Sequence, residues 1–194
     1  MAMGLSMVSG FALAGGSSVG GESLRYGILV AETDNDVRDP VAATRRVSRP
    51  NPLNAVAAIP FGRDRRIYAQ LFDQSFATVA SNSRGTAYLG EDVKRVGVNV
   101  SLQWRQRWSY RWQPWLGMGL GFANTGYTRR FTVTPDGYLA ATYPDLSETA
   151  LDLVVNAATH WRLSGHWTTG VLLQYEYPVN GNTSVLTAGI TVMY

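Results

Sequence analysis

Residues 95–105 read Arg-Val-Gly-Val-Asn-Val-Ser-Leu-Gln-Trp-Arg, and alternate residues of this stretch suit two different environments. Val96, Val98, Val100, Leu102 and Trp104 fall on one face of an extended chain; Arg95, Gly97, Asn99, Ser101, Gln103 and Arg105 fall on the other. A period of two is the mark of a β-strand whose faces see different media. The apolar face persists for about ten residues, the length of a tilted strand that crosses a bilayer. The opposite face carries charge and amides, which the interior of a soluble barrel would have to bury at a cost.

The same alternation recurs along the chain. Leu24, Tyr26, Ile28 and Val30 alternate with Arg25, Gly27, Leu29 and Ala31. Leu116, Met118, Leu120 and Phe122 alternate with Gly117, Gly119, Gly121 and Ala123. Leu151, Leu153, Val155, Ala157, Thr159 and Trp161 oppose Asp152, Val154, Asn156, Ala158, His160 and Arg162. Val171, Leu173, Tyr175 and Tyr177 oppose Leu172, Gln174 and Glu176, and Leu186, Ala188, Ile190, Val192 and Tyr194 form the last apolar row. Two more segments, 53–61 and 66–76, bring the number of strands to eight; in the second, Ile67, Ala69 and Leu71 compete with Tyr68, Phe72 and Phe76 for the apolar face. No stretch has the helical period.

Composition agrees with this reading. The 194-residue chain is 45% hydrophobic but only 16% charged, below the roughly 25% of soluble domains. That excludes intrinsic disorder, and the absence of a long apolar run excludes membrane helices. With no Cys there is no disulfide framework or thiolate metal site. Two His six residues apart and scattered carboxylates give no metal-ligand spacing, and no phosphate-binding glycine loop opens a helix. No cofactor or catalytic residue is assigned. The net charge is +3, and Lys94 is the one lysine among 17 basic residues. No block of basic residues interleaved with aromatics suggests a nucleic-acid groove, and no nucleic-acid partner is expected.

Residues 1–21 carry no charge, and Met7 to Ala14 followed by Gly15 resembles a signal-peptide core with a small-residue cleavage site. A disordered leader is the alternative. Residues 22–194 then form one domain. Short links (62–64, 107–113 and 163–166) alternate with longer ones (33–52, 77–94, 124–147 and the shorter 178–183). In an up-and-down antiparallel sheet this sorts the tight turns to one end and the long loops to the other. Trp104, Trp108, Trp112, Trp115, Trp161 and Trp167 all flank the tight turns, as an aromatic girdle at one membrane interface would. Phe122, Tyr127, Tyr175 and Tyr177 are placed for a second girdle. The expected fold is an all-β, eight-stranded antiparallel up-and-down transmembrane β-barrel.

Pro114-Trp115-Leu116-Gly117-Met118-Gly119-Leu120-Gly121-Phe122 resembles the Pro-aromatic-x-Gly-x-Gly-x-Gly-aromatic strand of small Gram-negative outer-membrane barrels of the OmpW, OmpX and OmpA-barrel kind. The final strand, with Leu186, Ala188, Ile190, Val192 and terminal Tyr194 in one row, resembles the signal read by the barrel-assembly machinery. The resemblance implies a bacterial outer-membrane location and that machinery as a partner, with outer-membrane lipids and lipopolysaccharide around the barrel.

Three functions are expected in turn. The first is non-enzymatic: a structural, envelope-assembly or narrow-pore barrel whose lumen is mostly plugged by Arg25, Arg95, Asn99, Gln103, Asp152, Asn156, His160, Gln174 and Glu176. Gly117, Gly119 and Gly121 either relieve crowding there or leave a slot beside their strand. The second is binding through the long loops, where Arg45, Arg46, Arg49, Arg129 and Arg130 are balanced by aspartates. The third is a lipid-modifying enzyme, which needs a base at His160 or His166 and lacks the His-x-Ser signature of lipid A deacylases. At the turn end, Arg63, Arg65, Arg66, Arg105, Arg107, Arg111 and Arg162 face only Asp64. This basic rim suits anionic headgroups or an envelope protein partner.

Overall fold

In the computed structural model, residues 23–37, 45–81, 88–108, 113–134 and 136–194 are described. The leader, Arg111 and Trp112 lie outside them. None of the described residues is helical. Nine strands follow in order: β1 (Arg25–Val37), β2 (Arg45–Pro60), β3 (Arg65–Ser81), β4 (Tyr88–Arg105), β5 (Trp115–Val133), β6 (Leu139–Thr142), β7 (Leu146–Ser164), β8 (Trp167–Pro178) and β9 (Thr183–Met193). Eight of them pair antiparallel with their neighbours and close into a barrel where β1 meets β9; β6 is a short strand hooked onto the far end of β5. Closure matters physically, because an open edge would leave backbone donors and acceptors unpaired in hydrocarbon.

The outer wall is the apolar half of each alternation. Ile28, Leu71, Val100, Met118, Leu120, Leu153, Leu173 and Ile190 are all exposed. So many large apolar side chains cannot face water together, so this belt is the lipid-contacting surface. It is bounded at the turn end by Tyr26, Trp161, Trp167 and Tyr194, with the Trp167 and Tyr194 rings 5.3 Å apart edge to face. On the loop side Tyr175 and Tyr177 face outward, and the Asp73–Lys94 ion pair marks the return of exposed charge.

The contest on β3 is settled by its partners. Ile67 and Leu71 point to lipid, while Tyr68, Phe72 and Phe76 fill the interior. The two tightest connections turn through Gly62 and Gly165, whose φ values of 87° and 53° disfavour other residues.

Much of what the sequence reads as long loop is strand. β1 and β2 stay paired out to Val37 opposite Arg45, and β3 and β4 out to Ser81 opposite Tyr88. Strands β3, β4, β5 and β7 have 17 to 19 residues, well beyond the roughly ten that a bilayer needs. Beyond the belt neither face contacts lipid, so hydrophobic periodicity fades while backbone pairing continues.

Candidate functional site

The lumen is the place where this sequence puts chemistry, and it is layered. In the half nearer the loops, Arg95 (1% exposed) projects from β4 between two carboxylates. Its Nη2 donates to Asp152 Oδ2 of β7 and Glu176 Oε2 of β8, both at 2.7 Å. The Phe72 ring lies under its guanidinium at 4.6 Å. Glu176 Oε1 also accepts from Asn99 Nδ2 (2.6 Å) and Gln174 Nε2 (3.0 Å), and Gln174 Nε2 donates on to Gln70 Oε1 at 2.8 Å. One cation is thus clamped by two anions. Amides take the other oxygen of Glu176, while Asp152, whose Oδ1 is buried without a partner, depends on Arg95 alone among the described residues.

A second chain of amides continues toward the turns. Arg66 Nε donates to Gln103 Oε1 at 2.6 Å, Gln103 Nε2 to Asn156 Oδ1 at 2.7 Å, and Asn156 Nδ2 to Ser101 Oγ at 2.8 Å. These side chains also decide the role of the β5 glycines. A Cβ on Gly117 would come within 2.5 Å of Asn156 Oδ1 and 2.6 Å of Gln103 Cγ, and one on Gly121 would strike Asn99 Oδ1. At these two positions the glycines relieve crowding, and the space beside them is filled.

The interior is not purely polar; the inner parity that carries the charges also carries Leu29 and Leu172. Leu29, Val56, Tyr68, Leu172 and Met193 form a buried apolar layer with Trp115 at the turn side. The loop side holds a second apolar group of Phe76, Val93 and Tyr127. Tyr127, expected in the outer girdle, therefore points inward. Its hydroxyl donates to Glu148 Oε1 at 2.8 Å and lies 3.2 Å from Thr183 Oγ1. Burial, with Glu148 acting in the same sense against the Thr183 bond, pushes this phenol above its ordinary range.

The structure moves two other expected surface residues inside. Trp115 (5% exposed) belongs to the lumen, because it precedes Leu116 and so shares the parity of Gly117. Arg66 (4% exposed) is likewise internal, being next to lipid-facing Ile67. Its guanidinium lies 4.1 Å over the Trp115 ring, and that of Arg105 lies 4.6 Å over the same ring. Arg66 Nη2 donates to His160 Nδ1 at 3.4 Å. The parity rule that places the strands also finds both residues, but aromatic and basic sorting by end masks it. Trp104 stays half-exposed on the outer face, and Trp108, Trp161 and Trp167 are exposed.

Of the remaining rim, Arg63 and Arg65 are exposed at the β2–β3 turn, and Arg107 chelates Asp64 through Nη2 at 3.0 and 2.7 Å. Arg162 Nε donates to the Gly165 carbonyl. Arg25 lines the turn-end mouth. The terminal row Leu186, Ala188, Ile190, Val192 and Tyr194 lies on the outer face of the barrel. At the loop end Arg129 pairs with Asp92 and Arg130 with Glu91. The side chains of Arg45, Arg46 and Arg49 lie outside the described residues. Neither His160, facing Arg66, nor His166, packed edge-on against Tyr194, has a hydrogen bond to a hydroxyl among the described residues. Among the same residues no three His, Cys, Asp or Glu side chains gather as a metal site would require.

Solved structures share this architecture. Ail, the attachment invasion locus protein of Yersinia pestis, solved in complex with the heparin analogue sucrose octasulfate, aligns over 88% of this chain and 99% of its own, with 11% identity and a TM-score of 0.50. Neisserial surface protein A aligns over 88% and 97%, with 13% identity and a TM-score of 0.55. The outer membrane protein OprG of Pseudomonas aeruginosa covers 88% and 94% at 12% identity and a TM-score of 0.49. No protein-family model matches the chain, and no curated protein matches it. At such identities the likeness is one of fold: the chain has the fold of the small bacterial outer-membrane barrels. With an apolar belt around a closed barrel, an outer-membrane location goes with that fold.

Proposed function

We propose that this protein is a non-enzymatic, structural barrel of the bacterial outer membrane whose lumen is closed rather than conducting. The observation that carries this reading is the clamp of Arg95 between Asp152 and Glu176, with Gln70, Asn99 and Gln174 completing it across the barrel. Eight strands enclose a space that side chains can fill, and here the polar layer sits above the apolar one. Short turns face the periplasm in such barrels, a setting in which the exposed Arg63 and Arg65 suit inner-leaflet headgroups or an envelope partner. Binding through the loop end is less supported, since Arg129 and Arg130 are already engaged by carboxylates.

The test is single-channel recording in planar bilayers, with folded protein verified by a gel band that shifts on boiling. A closed lumen gives no stepwise conductance; regular steps from the wild-type barrel would overturn the reading.

A further inference from the structure

We propose that the turn-end mouth of the lumen is a binding site for a phosphate-class oxyanion. A cavity of about 360 Å³ opens there, lined by Arg25, Arg66, Arg105, Arg162, His160 and Trp115 among others. That is room for an oxyanion with water, given the roughly 30 Å³ that one water occupies in the liquid. Four guanidinium groups meet at one pocket, and no carboxylate lines it among the described residues. Asp64 is the one acidic side chain at this end among the described residues, and Arg107 occupies both its oxygens.

Arg66 is the sharpest part of the argument. Buried charges are ordinarily neutralised by an opposite charge. Arg66 is buried with an amide, an imidazole and an indole face as its partners, all of them neutral. Its sister clamp at Arg95 has two carboxylates. The imidazole adds a second unmet demand. A guanidinium has donors only, so His160 Nδ1 must accept from Arg66, which leaves the ring proton on Nε2. Nε2 is buried without a partner. Arg66 and the unmatched His160 N–H both border a pocket that holds no negatively charged acceptor among the described residues. Arginine's planar fork suits the paired oxygens of phosphate. Free phosphate and the phosphomonoester of a lipid headgroup share this chemistry, and the site is independent of whether the lumen conducts.

The folded barrel in zwitterionic detergent is titrated with inorganic phosphate at constant ionic strength, with chloride as the reference anion. Phosphorus NMR line width and the unfolding temperature are the two readouts. Wild type should broaden the phosphate line saturably and unfold at higher temperature than in chloride. Arg66→Gln should weaken the affinity about tenfold or more, the loss of one charged hydrogen-bonding partner. Arg63→Gln, at the exposed turn outside the pocket, should leave it unchanged. If Arg66→Gln does not fold, Arg25→Gln at the pocket's edge decides in its place, with a loss of roughly threefold. A parallel titration uses mixed micelles of short-chain phosphatidic acid against short-chain phosphatidylcholine. Saturation by free phosphate assigns a soluble ligand, and saturation by phosphatidic acid alone assigns a headgroup. No saturation beyond chloride with either probe, or wild-type affinity in the deciding variant, would sink the proposal.

Discussion

Replacing Arg95 by methionine removes the cation from a clamp that holds two anions, and the structure indicates which anion suffers. Arg95 Nη2 donates at 2.7 Å to both Asp152 Oδ2 and Glu176 Oε2. Without it Glu176 still accepts from Asn99 and Gln174. Asp152 loses the one donor it has among the described residues, its other oxygen being buried and unpartnered. Removing one member of a buried pair costs about 3–5 kcal/mol because the survivor is left uncompensated. Two surviving carboxylates that also repel each other put Arg95→Met toward the upper part of that range. This corresponds to roughly 10²–10⁴ in the folding equilibrium. Asp152→Asn, by contrast, leaves a one-to-one pair of Arg95 with Glu176 and an amide oxygen that still accepts, for about 0.5–1.5 kcal/mol. The double variant Arg95→Met/Asp152→Asn should therefore be more stable than Arg95→Met alone, with a coupling of roughly 1–3 kcal/mol. Urea titrations of folding into lipid vesicles, followed by tryptophan fluorescence and heat-modifiable gel mobility, measure all three. The reasoning is refuted if Arg95→Met lies within about 1 kcal/mol of wild type, or if Asp152→Asn costs as much as it does.

Other substitutions test the layering. Trp115→Ala removes an indole buried beneath two guanidiniums and should cost about 3–5 kcal/mol; Trp161→Ala, on the outer girdle, should show a clearly smaller change in the same urea titration. Gly117→Ala forces a methyl against Asn156 and Gln103 and should destabilise by about 1–3 kcal/mol. Gly126→Ala, with only the Lys94 carbonyl as near as 4.0 Å, should be close to neutral by the same measurement. Leu120→Arg puts a charge in the middle of the lipid belt and should cost about 2–4 kcal/mol in vesicles. Ser75→Arg, outward beyond the belt on β3, should leave stability within about 0.5 kcal/mol of wild type.

Periodicity made the barrel legible wherever lipid touches it. Between Val96 and Trp104 or Leu186 and Tyr194, one medium acts on every second residue, so the sequence alone records the strand, its faces and its span. The same rule reached the lumen through Arg95, Asn99, Asp152 and Glu176, because charge on the inner parity has nowhere else to go. The reading of the sequence went astray in two places for different reasons. Beyond the belt, at 33–37 and 124–133, the outer face loses its lipid and the pattern loses its contrast, although the backbone ladder continues. At Trp115, Tyr127 and Arg66, residue type argued for the surface and parity argued for the interior, and parity won.

What the sequence determined by itself, the short β6 within 124–147 apart, was the architecture: the eight strands of the barrel wall, inside and outside, membrane span, and which end carries the turns. These follow from a solvent that acts locally, residue by residue. Which interior groups meet was decided only by closure of the barrel. Arg95 reaches Glu176 across 81 positions of chain, and Arg66 reaches His160 across 94. Register and shear set those encounters. Whether a buried charge finds its opposite, as at Arg95, or only neutral partners, as at Arg66, is a property of the closed barrel that no single strand carries.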